Sequence, residues 1–135
     1  MFQQKKTRPT QKRLDSLIGA GTTVNGDLVF SGGLRIDGTV HGKVGTVDNQ
    51  PGTLVISEHA KVDGEVRVSH VVVNGAVTGP VAASDHLELQ AKAQVHGDVM
   101  YRTLEMHVGA VVQGKLTHAG QETADVVELK RATAD

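Results

Sequence analysis

Apolar and polar positions alternate along most of this chain, and one short phrase punctuates the alternation. It recurs as VNGDL (24–28), VHGKV (40–44), VDGEV (62–66), VTGPV (77–81), VHGDV (95–99) and VQGKL (112–116). Around it the apolar set reads Leu54, Ile56, Ala60, Val62, Val66 and Val68 in one stretch. Leu87, Leu89, Ala93, Val95 and Val99 repeat the order, and Leu104, Met106, Ala110, Val112 and Leu116 repeat it again. A period of two interrupted by glycine predicts short strands with one buried face. Helices are set aside because no 3.6-residue period runs through these stretches and β-branched residues and glycine are plentiful.

Aligned on the phrase, the units begin at Ser16, Leu34, Leu54, Val71, Leu87 and Leu104, with steps of 18, 20, 17, 16 and 17 residues. Hairpin sandwiches do not require the same inward order in every unit, whereas coils stacked in parallel do. About 17 residues at roughly 3.3 Å each give a perimeter near 56 Å, or three sides of under about 20 Å. The predicted fold is therefore all-β: a triangular β-solenoid of about six coils, roughly 29 Å long. The glycine of each phrase is expected at a corner, through positive φ or the missing Cβ, with the flanking valines facing inward. Units two and four are two residues shorter between first strand and phrase. After unit two, residues 45–53 include Asp48-Asn49-Gln50-Pro51-Gly52 and read as a turn bulging off the rod. The organisation expected is a basic disordered tail over 1–15, the solenoid over 16–116 and a polar disordered tail over 117–135.

Composition narrows the core. With two Phe, one Tyr and no Trp, it must be built from aliphatic side chains in narrow layers. There is no cysteine, the longest purely aliphatic run is Val71-Val72-Val73, and no signal-peptide apolar region follows the start, so a cytoplasmic protein is expected. Charge is segregated. Lys5, Lys6, Arg8, Lys12 and Arg13 precede the first acid, while residues 14–116 hold seven basic and eleven acidic side chains.

A solenoid's terminal coils expose unpaired N–H and C=O groups and an apolar cross-section, so a monomeric one needs caps. The polar basic head offers none, and Val126, Val127 and Leu129 are too few to seal the other end. Identical blocks are expected to stack through Ile18, Val24, Leu28 and Phe30 at one end and Leu104, Met106, Val108, Val112 and Leu116 at the other. Met1 and Phe2 place an apolar tip before the cations Lys5, Lys6 and Arg8. Burying one Phe contributes about 1.5–3 kcal/mol, and each cation near an anionic leaflet up to about 1 kcal/mol. Many copies on one filament would bind such a surface by avidity.

Glycine-punctuated coils of about 17 residues, between an opening MFxxKK and a polar C-terminal tail, resemble the bactofilins. The likeness covers residues 16–116 and the first six. It implies a right-handed parallel β-helix that polymerises without nucleotide into non-polar filaments, joined head to head and tail to tail. It further implies a membrane-targeting role for Phe2, Lys5 and Lys6, a place on the inner face of the cell membrane, and recruitment of peptidoglycan synthesis or remodelling enzymes.

Catalytic chemistry finds little support. A six-residue period runs locally through Ile18, Val24, Phe30 and Ile36 and through Leu28, Leu34 and Val40, which raises a trimeric hexapeptide-repeat acyltransferase as the alternative. The loop at 45–53 breaks that phase. His41 and His96 sit beside turn glycines, His59 in a polar stretch, and His70 and His86 just before first strands, one coil apart. Without a carboxylate or third ligand at a fixed place these read as surface histidines, and no metal or cofactor is expected. Asp27, Asp37, Asp63 and Asp98 flank corner glycines, where turn geometry favours Asp. No P-loop is present, and an acidic rod nearly free of aromatics argues against nucleic acid.

Overall fold

The computed structural model describes residues 14–119. Every strand pairing in it is parallel, and each joins one unit of the repeat to the next. The six unit starts are direct register partners in one column: Ser16, Leu34, Leu54, Val71, Leu87 and Leu104. The chain is a parallel β-solenoid of about six turns.

Three faces build each coil. The first carries Ser16–Ile18, Gly32–Ile36 and Gly52–Ile56, then the later parts of Val66–Val73, Val81–Leu89 and Val99–Met106. The second carries the valine-x-glycine phrase and forms a separate six-stranded sheet, from Thr23–Asn25 to Val111–Gln113. The third runs from Leu28–Phe30 to Leu116–His118 and joins the first face in a nine-stranded sheet, because three strands run round the shared corner.

Alternation along these strands sends like side chains inward in stacked columns. Leu34, Leu54, Val71 and Leu87 form one column, Ile36, Ile56, Val73 and Leu89 another, and Val40, Val62, Val77 and Val95 a third, all at most 2% exposed. Each such side chain contributes about 1.5–3 kcal/mol relative to an exposed one. The interior is not wholly aliphatic. Thr46 and Ser69 are buried too, and each satisfies its hydroxyl on backbone at the edge of the inserted loop.

That loop is shorter than residues 45–53. Gly45 and Thr46 stay in the strand Val44–Thr46, and Gly52 and Thr53 open the strand Gly52–Ile56, so only 47–51 leave the ladder. Val47–Asn49 form a 3-10 turn, in which Asp48 and Asn49 take φ of 51° and 55°. The phrase glycines do sit at corners, and close stacking is the main reason. A Cβ on Gly42 would overlap the carbonyl of Gly26, and one on Gly64 that of Gly42, so the column admits only hydrogen there. Their φ values of 156° and 153° add a second constraint.

Candidate polymerisation faces

Among the described residues, the coil from Ser16 to Phe30 is paired on one side only. Ser16–Ile18 bonds to Leu34–Ile36, Thr23–Asn25 to Thr39–His41, and Leu28–Phe30 to Val44–Thr46. Its other edge has no strand partner among the described residues. Ile18, Val24 and Leu28 point inward but remain half-buried, because no described coil lies beneath them. Gly26 reports the same vacancy of neighbours: a Cβ built there meets nothing within 4 Å, unlike its counterparts above.

The last coil mirrors this arrangement. Leu104 and Val112 are half-buried, while Met106 and Leu116 are 45% and 46% exposed. Among the described residues, Val111–Gln113 pairs only with Gln94–His96, and Leu116–His118 only with Val99–Tyr101. Tyr101 meets His118 edge to face at 5.7 Å between ring centres, and the buried Nδ1 of His118 has no hydrogen-bond partner among the described residues.

Eight of the nine residues expected at the joints are thus incompletely buried in terminal coils. Phe30 differs, being 7% exposed and packed into the core. Val108 lies at a corner turn and is 98% exposed, at the rim of its face. Leu17 and Val29, at 60% and 61% exposure, add apolar surface on the outside of the first coil. The repeat pattern did not single them out; the signal that could have found them is an aliphatic residue in an outward slot where the next coil holds Arg35 or Gly45. Met1, Phe2, Lys5, Lys6 and Arg8 lie outside the described residues.

Polar side chains flanking the corners tie coil to coil. Lys43 N–H donates to Asp27 Oδ1 and Lys115 N–H to Asp98 Oδ1, both at 3.0 Å, and Lys92 N–H donates to Asn74 Oδ1 at 2.9 Å. His41 Nδ1 stands 3.0 Å from Asp63 Oδ2, and His96 Nδ1 lies 2.9 Å from Gln113 Oε1. A hydrogen bond from Ser57, on the following coil, and then one from Arg35 hold the Asp37 carboxyl below its usual range. His70 and His86 are register partners, as their spacing predicts. Glu88 and Glu105 converge on His107, a histidine that the spacing did not single out.

The bactofilin profile, described as polymer-forming cytoskeletal, matches residues 16–117, from the first residue of the first strand almost to the end of the last. The chain belongs to the bactofilin family. Bactofilin BacO of Myxococcus xanthus (strain DK1622) is 28% identical to it over 109 residues, covering 81% of this chain and 83% of that protein. No solved structure matches. A bactofilin is a polymer-forming cytoskeletal protein, and the family is a structural one, not a family of enzymes. Self-association is therefore the property for which this bactofilin's two incomplete end coils have to account. Among the described residues, no helix is long and apolar enough to cross a membrane.

Proposed function

We propose that this bactofilin polymerises through its two terminal coils, without nucleotide, into non-polar filaments on the inner face of the cytoplasmic membrane, where it gathers cell-wall or cell-shape proteins. The observation that carries the reading is the pair of one-sided end coils. Each presents half-buried core side chains and an unpaired strand edge, and stacking a second copy on either would bury both at once. Ile18, Val24 and Leu28 form the centre of one joint, and Leu104, Met106, Val112 and Leu116 that of the other. Phe30 supports the first joint from within, and Val108 edges the second. Filament polarity, the membrane face and the clients follow from the bactofilin resemblance. Met1, Phe2, Lys5, Lys6 and Arg8 supply an apolar and cationic contact to anionic lipid, strengthened by the many copies along a filament.

Electron microscopy of the purified chain without nucleotide tests the assembly. Filaments are expected from the natural chain, and Ile18→Arg combined with Val112→Arg should abolish them while circular dichroism stays β-like. Filaments surviving both substitutions would defeat the joint assignment. For the membrane contact, residues 1–8 fused to a fluorescent reporter should collect at the cell periphery and disperse with Phe2→Ala. A fusion that is diffuse from the start would sink the lipid reading.

A further inference from the structure

On the outside of the first face, the fifth and sixth coils place Glu88 and Glu105 side by side as register partners. Like charges directly opposite across a ladder destabilise it unless something positive lies between them. His107, at the corner after Glu105, reaches into that gap. Its Nε2 lies 3.0 Å from Glu88 Oε2 and 3.4 Å from Glu105 Oε2. Gln90 Nε2 donates to the same Glu88 oxygen at 3.2 Å, fixing that carboxylate from outside the cluster.

A second histidine approaches Glu105 from the other side, with His86 Nε2 4.0 Å from Glu105 Oε1. Thr103 Oγ1 lies against His86 Nδ1 and donates to the carbonyl of Asp85 at 3.1 Å, which holds that ring beside the cluster.

The geometry suits an ion with short bonds. The ligand atoms of Glu88, Glu105 and His107 all lie within 4.8 Å of one another. Four ligands at about 2.0–2.1 Å in a tetrahedron stand about 3.3 Å apart, close to the 3.0 and 3.4 Å separations from His107. Imidazole nitrogen mixed with carboxylate oxygen favours zinc and similar transition ions over magnesium or calcium.

We propose that Glu88, Glu105 and His107 bind a divalent ion of the zinc type, with water completing its shell, that clamps the sixth coil to the fifth. The clamp would act where the solenoid is weakest, since the sixth coil has a described neighbour on one side only. At the other end the same column holds Leu17 and Arg35, so the site belongs to one end alone. It stands or falls independently of filament formation.

The test is equilibrium dialysis of the full chain, stripped with a chelator, against low-micromolar zinc chloride, with bound metal counted by mass spectrometry. One ion per chain is expected. His107→Ala and Glu105→Gln should each weaken retention at least about tenfold, whereas Glu65→Gln, in the separate Glu65–Arg67 pair, should bind as the natural chain does. All three side chains are on the surface, and circular dichroism checks that each variant folds. No retained zinc, or equal retention in the His107 and Glu105 variants, would overturn the site and leave His107 as an ion-pair bridge between two glutamates.

Discussion

The corner glycines show what a single residue contributes. Gly64 is hemmed in by the carbonyl of Gly42, whereas Gly26 faces open space, yet both adopt positive φ, 153° and 130°. Alanine at Gly26 should cost only the backbone strain, about 1–3 kcal/mol, and alanine at Gly64 clearly more, because a neighbouring coil must also move. Urea unfolding of both variants, in a background that does not polymerise, measures the difference, and equal costs would refute close stacking as the reason for glycine. The repeat made these positions legible as corners. It could not distinguish a bend from a close approach, since both select glycine and only the neighbouring coil decides. Asp37 gives a prediction in pH. Ser57 and Arg35 lower its folded pKa below the ordinary 3.8, so the stability it contributes is complete above that value and is lost as pH falls through the lower, folded one. The stability gap between the natural chain and Asp37→Asn should therefore shrink between about pH 6 and about pH 3, and a gap that does not change with pH would contradict the assignment.

Strands and loops follow from which residues the adjacent coils make into partners. All six unit starts could be read from the sequence, because the inward alternation is fixed by a buried core on every internal coil and a one-residue slip would expose Leu54 and Ile56 together. The inserted loop could be read only roughly. Its turn-forming composition extends to Gly45 and Gly52, but Gly45 pairs with Arg67 and Gly52 with Gly32, and ladder pairing outweighs local preference there. Ser69 anchors the loop's return, accepting from Gly52 N–H at 2.9 Å and donating to Gly52 C=O at 2.8 Å. Ser69→Ala would leave those groups short of partners at about 1–3 kcal/mol, and hydrogen exchange at the Gly52 amide should quicken while that of the internal strand Lys61–Asp63 does not. Leu54→Ala, opening a cavity in a column that is fully buried, should cost about 2–5 kcal/mol in the same unfolding assay.

At the scale of the molecule, the described residues form a solenoid with a saturated middle and two ends paired on one side, and the family is polymer-forming. The ends were legible as an expectation, because neither flanking segment carries a capping pattern in its sequence. Which side chains those faces expose was less legible, since a terminal coil carries the same alternation as an internal one. Phe30 shows the difference: its place in the first coil suggested the joint, yet it packs into the core, while Leu17 and Val29 stand outside. The Glu88, Glu105 and His107 cluster escaped the linear reading for a related reason, being assembled only when coils five and six come into register. Amide hydrogen exchange, compared between filaments and the non-polymerising Ile18→Arg, Val112→Arg chain, tests the joint most directly. Completed ladders predict that amides of Ser16–Ile18 and Val111–Gln113 become protected in filaments, while those of Lys61–Asp63 are protected in both. Filaments whose end-coil amides exchange as fast as those of the single block would contradict assembly through the terminal coils.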